Sequence, residues 1–247
     1  MAGGSTHRFA NLRDLGGLRS TDGSRLRHGV LLRSDAPLVG DAVPDLVAWP
    51  PSVVLDLRSV QTRSRSSHPL DRVGTQVVWI PMAPDADPSA ALSHGGNFDV
   101  AGLYRRILGE LGPHMAEIFD LVLDADGPTL VHCVAGKDRT GVLISVLLAA
   151  AGVTRAEILA DYYLTGPNMA AVIERMVKTV TPAKRSKFRS RLIGAPSELF
   201  STPPKGILAA LEELDAHPGG PLGWLGEQGV EKLQIDDWCA RVLLADR

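Results

Sequence analysis

The sequence predicts an α/β fold in which a mostly parallel central sheet is flanked by helices on both faces of a single domain. Three observations lead to this prediction. Short runs of branched apolar residues alternate with segments of helical periodicity. Of the 247 residues, 45% are hydrophobic and 22% charged, as in ordinary globular proteins. No repeat or biased linker divides the chain, so residues 1–247 are expected to share one core.

Four short apolar runs are predicted to be buried strands. Each is followed by polar, proline or glycine residues, which is typical of a strand that ends in a loop. The runs are residues 30–32, 53–57, 77–80 and 129–132. Because parallel strands end at the same edge of a sheet, we expect a functional site at the carboxyl ends of these strands.

Helical spacing of apolar residues predicts helices between and after the strands. Residues 103–123 carry this spacing, and Gly112 with Pro113 is expected to divide them into two helices. Residues 140–151 are predicted to form a fully buried helix that ends at Gly152.

A further helix is predicted to begin at a capping box formed by Thr154 and Glu157 and to continue to Leu164. We expect Gly166 and Pro167 to stop it. Residues 197–247 are predicted to form a helical C-terminal part of the same domain, with helices over residues 205–216 and 235–244.

Residues 82–100 are rich in Pro, Gly, Asp and Ser and are predicted to form a long loop. Loops of this length in compact domains are commonly functional or disordered. We therefore expect an active-site loop beside the carboxyl edge of the sheet.

Charge and cysteine content exclude several classes of function. The net charge of −2 provides no general attraction to nucleic acid or to anionic membranes, so any anion site must be local. The two cysteines, Cys133 and Cys239, are too few for a disulfide framework or a zinc cluster, and Cys239 is expected in the core. The N-terminal residues lack the apolar core of a signal peptide, and no apolar run is long enough to span a bilayer, which predicts a cytoplasmic location, with export by a non-classical route as the alternative.

Residues 129–141 combine a strand, a short loop and the start of a helix around Cys133. Such a loop directs backbone N–H groups into one concavity and adds the positive end of the helix dipole, which favours a bound anion and a cysteine thiolate. Gly136 lets the backbone curl, and the planar fork of Arg139 can hold two phosphate oxygens. Thr140 is expected to donate its hydroxyl to the sulfur. The segment therefore predicts a phosphate site with a nucleophilic cysteine.

The residues His132, Cys133, Arg139 and Thr140 occur in the pattern H-C-x5-R-[ST], which resembles the signature of the cysteine-dependent tyrosine phosphatase superfamily. The chain is most similar to the bacterial protein-tyrosine phosphatase B type, also described as atypical lipid phosphatases. Motifs at residues 11–17, 33–35 and 56–59 follow in the order of that branch. The resemblance implies a tyrosine-phosphatase-like fold over most of the chain.

The resemblance also implies a metal-independent hydrolysis of phosphomonoesters that needs no cofactor. Cys133 would attack phosphorus, and Arg139 would hold the equatorial oxygens. The loop amides would bind the same oxygens; the implied substrate-binding residues are Val134, Ala135, Gly136, Lys137 and Thr140. Water would then hydrolyse the cysteinyl phosphate.

The expected partners are a phosphorylated protein, with phosphotyrosine as the first substrate and phosphoserine or phosphothreonine next, or a phosphoinositide. Inorganic phosphate is expected in the same site, and nucleic acid is not expected as a partner. In relatives that act on phosphoinositides, a loop lysine at the position of Lys137 contacts additional phosphates. A non-catalytic phosphate-binding module is the alternative of another class.

Two assignments of the general acid stay open. Most of the superfamily uses an aspartate on a separate loop, for which Asp85, Asp87 and Asp99 qualify by position. The B-type branch implies Asp138 instead, and we favour this residue. Its cationic neighbours favour the ionised carboxylate, so a protonated Asp138 requires burial or the nearby thiolate.

Several other residues are expected to support the site. His132 is expected to bond the loop backbone, whereas Asp56 and Arg58 either shape the site or form a structural ion pair. The branch often places a glutamate six residues after this aspartate, where Thr62 stands here. Residues 184–191 carry five cations and no acid; we expect a solvated surface, with membrane contact as the alternative.

Overall fold

A computed structural model describes residues 8–244, except residues 47, 61, 64–66, 73 and 83–97 and the side chain of Arg191. Within these residues, the strands in chain order are β1 (Arg13–Asp14), β2 (Arg25–Leu26), β3 (Leu31–Ser34), β4 (Val53–Asp56), β5 (Gln76–Trp79), β6 (Thr129–His132) and β7 (Leu243–Leu244).

The central sheet has the strand order β1-β3-β6-β4-β5. Strands β3, β6, β4 and β5 run parallel, and β1 pairs antiparallel with β3 at one edge. Strands β2 and β7 form a separate antiparallel pair. The prediction of an α/β fold with a mostly parallel sheet flanked by helices is confirmed.

The helices in chain order are α1 (Val100–Leu111), α2 (Met115–Asp124), α3 (Asp138–Ala150), α4 (Arg155–Tyr163), α5 (Thr165–Thr179), α6 (Pro182–Ile193), α7 (Pro204–Ala216), α8 (Gly220–Glu227) and α9 (Lys232–Val242). Short 3₁₀ turns occupy Gly112–His114 and Ser197–Phe200. The predicted division at Gly112 and Pro113 is confirmed, because a 3₁₀ turn separates α1 from α2 there.

Helices α4 and α5 correct one prediction about a helix end. Thr154 caps α4 by accepting a hydrogen bond from the Glu157 backbone N–H, which is one half of the predicted capping box. Gly166 and Pro167, however, do not stop the chain from being helical, because they lie in the first turn of α5. Proline is tolerated there, since the first N–H groups of a helix have no intrahelical acceptor.

The C-terminal helix also differs from the prediction of residues 235–244. Helix α9 begins three residues earlier, at Lys232, where Glu231 and Gln234 form a capping box. It ends at Val242 because Leu243 and Leu244 leave the helix to pair with β2. A local apolar pattern does not reveal a strand partner that lies over 200 residues away in the chain.

The sheet separates two groups of buried apolar residues. The larger extends from Leu15 to Val242 and packs α1, α2, α3 and α7 against one face of the sheet. The smaller, on the opposite face, consists of Leu32, Val54, Leu70 and Leu130, with Trp49 packed against it. Among the helices of the described chain, none combines the length and apolar character that crossing a bilayer requires.

Candidate active site

The Cys133 loop, residues 133–137, connects the carboxyl end of β6 to the first residue of α3. In the sheet, His132 at the end of β6 lies between Ser34 of β3 and Asp56 of β4. Gly136 has a φ of +67°, and a Cβ atom there would approach the Ser34 carbonyl oxygen to 2.3 Å. Only glycine therefore lets the loop pass this closely over β3.

Three loop carbonyls are fixed by donors outside the loop. The Ala36 N–H donates to the Val134 carbonyl at 3.0 Å. The Asn11 side-chain amide donates to Ala135 at 3.0 Å and to Gly136 at 3.2 Å. The Arg33 guanidinium donates to the Gly136 carbonyl at 2.8 Å. In a trans peptide, a carbonyl and the N–H group of the next residue point in opposite directions. The N–H group that follows each of these bonded carbonyls is therefore directed away from the donors.

A buried ion-pair cluster holds Arg33 in this position. Asp161 on α4 accepts hydrogen bonds from Arg13, at 2.6 Å, and from Arg33. Burial alone would raise the pKa of Asp161, but the two guanidinium groups outweigh it and lower that pKa. A substitution of Asp161 would leave two cations close together without their shared anion, which is costly inside a protein.

Cys133 and Arg139 are both buried at the base of this arrangement. The cysteine is 2% exposed. Arg139 Nη1 donates to the Leu57 carbonyl at 2.9 Å, which anchors its guanidinium at the end of β4. Burial lowers the pKa of Arg139 to about 10, which still leaves it charged at pH 7.

The Thr140 hydroxyl is buried and has no hydrogen-bond partner among the described residues. The bond from Thr140 to the Cys133 sulfur that the sequence suggested is therefore absent from the described contacts. An unpaired buried hydroxyl is costly, so this donor is available to a ligand or to a shifted sulfur.

Asp138 lies at the first position of α3, and its side chain is 25% exposed. Its Oδ1 atom accepts hydrogen bonds from the Tyr104 hydroxyl and from Lys137 Nζ, each at 2.8 Å. Lys137 also donates to the Glu198 carbonyl at 3.3 Å and is almost completely buried. A phosphate contact by Lys137 would thus add to these two bonds or replace one of them.

His132 belongs to a buried chain of hydrogen bonds with a defined direction. The Leu70 N–H donates to His68 Nδ1 at 3.1 Å, so the His68 proton lies on Nε2. His68 Nε2 then donates to His132 Nε2 at 3.0 Å, and His132 Nδ1 donates to the Cys133 carbonyl at 3.0 Å. Both imidazoles are neutral in this arrangement, and the predicted bond from His132 to the loop backbone is present.

Asp56 and Arg58 form a close ion pair at the end of β4, with oxygen–nitrogen distances of 2.7 and 2.9 Å. Burial by itself would raise the pKa of Asp56, but the bonds and charge of Arg58 outweigh it and lower that pKa to about 2. The ion pair that was one of the two alternatives for Asp56 and Arg58 is thus present. Asp56 also lies 3.8 Å from His132.

Potential metal-ligating atoms of Asp56, His68 and His132 lie within 4.8 Å of one another. The hydrogen-bond directions disfavour a metal site, because His68 Nε2 carries a proton and the His132 Nε2 lone pair accepts it. A metal ion bound to His68 Nε2 would have to replace that proton, and a neutral ring would then carry its proton on Nδ1, which already accepts from the Leu70 N–H.

The two neutral histidines predict an acid-sensitive fold. Burial lowers the pKa of both, to about 3 for His68. In the unfolded chain, both imidazoles take up a proton below about pH 6.5. Because the unfolded state then holds more protons, His68 should lower the free energy of unfolding by about 1 kcal/mol per pH unit on acidification near pH 5, and His132 should act in the same direction.

We expect His68→Asn to reduce this slope by about 1 kcal/mol per pH unit, since asparagine does not titrate and its carbonyl can still accept from Leu70. Urea unfolding from pH 6 to pH 4.5 measures the slope for both proteins. An identical slope would show that His68 is already protonated in the folded protein.

The other candidate residues lie as follows. Asp99 is exposed and caps α1, where it accepts from the Gly102 N–H at 2.9 Å. Asp85 and Asp87, with most of the predicted loop over residues 82–100, lie outside the described residues. Cys239 is partly buried on α9, close to its expected place in the core.

Three site residues were not singled out from the sequence as supports of the loop: Tyr104, His68 and Asp161. Tyr104 carried only the apolar spacing of α1, and the other two occupy no motif that sequence reasoning had used. Asn11 and Arg33 lie in two of the motifs on which the resemblance rests, at residues 11–17 and 33–35. These motifs could have indicated supports of the loop, because the Asn11 and Arg33 side chains both donate hydrogen bonds to loop carbonyls.

Comparison with known proteins gives a consistent result. A model described as "Tyrosine phosphatase family" matches residues 5–244. A protein of Cupriavidus necator, provisionally named a tyrosine-protein phosphatase, is 34% identical over 62% of this chain and 59% of its own. The triple specificity protein phosphatase PtpB of Mycobacterium tuberculosis is 28% identical over 47% of this chain and 44% of its own. The chain thus spans less than two thirds of these relatives.

Proposed function

Because the chain belongs to the tyrosine phosphatase family, we propose that it hydrolyses phosphomonoesters through a cysteinyl phosphate on Cys133, with phosphotyrosine as its first substrate. The observation that carries this proposal is the Cys133 loop itself. Its carbonyls are bonded to Asn11, Arg33 and Ala36, so its amides are free to face a ligand on the opposite side. A phosphate is the anion that this loop and Arg139 fit best.

The first step is a transfer of the phosphoryl group to sulfur. The Cys133 thiolate attacks phosphorus, the S–P bond forms, and the bond from phosphorus to the leaving oxygen breaks. Arg139 and the loop amides hold the three equatorial oxygens, where negative charge is concentrated in the transition state. The Thr140 hydroxyl supplies a further donor, either to an oxygen or to the sulfur.

The second step returns the enzyme to its starting state. Water attacks phosphorus, the S–P bond breaks, and inorganic phosphate leaves from the loop. Asp138 gives its proton to the leaving oxygen in the first step and takes a proton from water in the second. Its partly exposed carboxyl beside the loop supports this role, whereas Asp99 is committed to the cap of α1.

Hydrolysis of an aryl phosphate in the presence of EDTA tests the proposal. We expect turnover that EDTA leaves unchanged and that vanadate inhibits, since charge compensation comes from the loop rather than from a metal. Saturable binding of a phosphotyrosine peptide without any release of phosphate would instead support the alternative of a non-catalytic phosphate-binding module.

Replacement of Asp138 by asparagine should lower kcat for a phosphotyrosine peptide by about 10²-fold and abolish the alkaline fall of the pH–rate profile. Asparagine keeps the size of the side chain but cannot transfer a proton. Asp99→Asn is the matched control and should retain the profile, as should Asp85→Asn and Asp87→Asn. An intact alkaline fall in Asp138→Asn would assign the acid to another residue.

A phosphoinositide is the second candidate substrate, and helix α6 favours it. The helix carries Lys184, Arg185, Lys187, Arg189 and Arg191, and no acid occurs between Glu174 and Glu198. Its last residue, Ile193, is 86% exposed. The 3₁₀ turn that follows contacts Lys137, which brings this segment close to the Cys133 loop.

Removal of two exposed charges, by Lys184→Ala with Lys187→Ala, should weaken binding to phosphatidylserine vesicles by about 30-fold, because each cation near an anionic surface contributes about 1 kcal/mol. Vesicle sedimentation measures this, with Lys205→Ala as the control. Hydrolysis of phosphoinositides in such vesicles should fall in parallel, while hydrolysis of a soluble aryl phosphate stays the same. If the double variant binds the vesicles as tightly as the wild type, α6 does not contribute to recognition of the lipid. If Lys137→Ala leaves the rate of phosphoinositide hydrolysis unchanged, Lys137 does not contribute to it either.

A further inference from the structure

Asp138 receives an unusual amount of support for a side chain at the edge of a site. One of its two carboxyl oxygens, Oδ1, accepts from both the Tyr104 hydroxyl and Lys137 Nζ at 2.8 Å. Tyr104 comes from α1, 34 residues earlier in the chain, and its side chain is completely buried. Such a buried phenol contacting a partly exposed carboxyl is not explained by packing alone.

The direction of these bonds follows from the groups involved. Tyr104 has one hydroxyl proton, and its oxygen also lies 2.5 Å from the Tyr162 hydroxyl oxygen. An ionised carboxylate can only accept, so Tyr104 donates to Asp138 and Tyr162 donates to Tyr104. Burial, and next the charge of Asp138, raise the pKa of both phenols, which therefore keep their protons across the working range.

The ring of Tyr104 has little freedom to move. A Cβ atom on Gly206 of α7 would meet this ring at 2.9 Å, so α7 packs directly against it. The ring of Tyr162 lies edge-on at a centroid distance of 6.2 Å. Lys137, by contrast, carries its ammonium on a flexible four-carbon stem, which fixes a partner less firmly than a packed aromatic ring does.

We propose that Tyr104 is the positioning residue of the general acid: it occupies Oδ1 of Asp138, so that the transferable proton is carried on Oδ2 and directed to the leaving oxygen. With Oδ1 accepting two bonds, a proton on that atom would have to displace one of them. Tyr162 supports the arrangement by donating to Tyr104. The inference rests on the proposed function and adds a residue that acts through Asp138.

The test compares kcat/KM for a series of aryl phosphates whose leaving phenols range from acidic nitrophenols to tyrosine. A mispositioned acid matters little when the leaving phenolate is stable and much when it is basic. We expect Tyr104→Phe to lose no more than a few-fold with the most acidic phenol and on the order of 10²-fold with phosphotyrosine. Tyr162→Phe should show the same trend with a smaller loss.

Two controls separate positioning from a general structural role. Tyr163→Phe, on the same turn of α4, should leave the whole series unchanged. In an Asp138→Asn background, Tyr104→Phe should cause no further loss, because the acid through which it acts is already gone. Thermal unfolding of each variant checks that the fold is retained.

Equal losses across the series, or a full additional loss in the Asp138→Asn background, would overturn the assignment of Tyr104 while leaving the phosphatase proposal intact. Wild-type protein without turnover on any phosphate of the series would instead overturn the proposed function and this inference with it. The two failures are therefore distinguishable.

Discussion

Replacement of Cys133 by serine is expected to lower kcat by on the order of 10⁴-fold or more, while vanadate and inorganic phosphate still bind within a few-fold of the wild-type affinity. Serine keeps the loop backbone, because the bonds that fix the loop go to carbonyls and not to the sulfur. The serine hydroxyl is a much weaker acid than a thiol, so it does not supply an anionic nucleophile near neutral pH. Steady-state kinetics and isothermal titration measure the two quantities.

Cys239→Ser is the matched control for this substitution. Cys239 lies on α9, and burial raises the pKa of its thiol, so no contribution to turnover is expected from it. The account of the nucleophile would be wrong if Cys133→Ser retained wild-type activity, or if its loss of activity came with a loss of phosphate binding and of thermal stability.

Replacement of Arg139 by lysine is expected to lower kcat/KM by about 10²- to 10³-fold, despite conservation of the charge. Arg139 already uses Nη1 to bond the Leu57 carbonyl, and its planar fork leaves further N–H groups in a fixed orientation. A lysine ammonium carries its three donors on a single tetrahedral nitrogen at the end of a flexible stem, so it cannot reproduce the planar fork that reaches the carbonyl and two phosphate oxygens together. Both kcat/KM and the vanadate affinity should fall.

Arg105→Lys provides the control, since Arg105 is half exposed on α1 and pairs only loosely with Glu213, at 3.7 Å. It should leave turnover unchanged. A loss of less than tenfold in Arg139→Lys would show that the charge alone, and not the fork, stabilises the transition state.

The sequence was sufficient to predict the part of the site that is local in the chain. A strand of branched residues, a glycine-containing loop and a helix start lie within residues 129–141, and each element forms there, although α3 begins at Asp138, two residues before its predicted start. The bounds of β6 match the predicted residues 129–132, and all four residues are buried. Strand β3 extends beyond its apolar run to include Arg33 and Ser34. Both are buried, and their side chains form hydrogen bonds there.

The supports of the loop were not predictable in the same way, because they depend on contacts between distant segments. Tyr104 and Asp138 are 34 residues apart, and His68 and His132 are 64 apart. Tyrosine and histidine at such positions also occur in ordinary cores, so residue type alone does not distinguish a support from packing. The packing of α1 and of the segment before β5 against the loop brings each pair together.

Helices α5 and α6 were missed for a different reason. Helix α6 is polar, and although α5 carries Met169, Val172 and Val177 at helical spacing, Gly166 with Pro167 gives a strong local signal for a helix end before them. In the structure α5 is tied to the body by Arg175, which bonds Asp35 at 2.5 Å and Asp41 at 2.7 Å. Such ion pairs leave no periodic pattern in the sequence.

Rapid quench of the reaction in alkaline denaturant, which preserves an S–P bond, followed by mass spectrometry of the protein digested under the same alkaline conditions, tests the central claim most directly. During turnover of an aryl phosphate, we predict one added phosphoryl group on the peptide that contains Cys133 and none on the peptide that contains Cys239. Turnover with the phosphoryl group on any other residue, or with no phosphorylated Cys133 despite a burst of phenol, would contradict the claim that this sulfur attacks phosphorus.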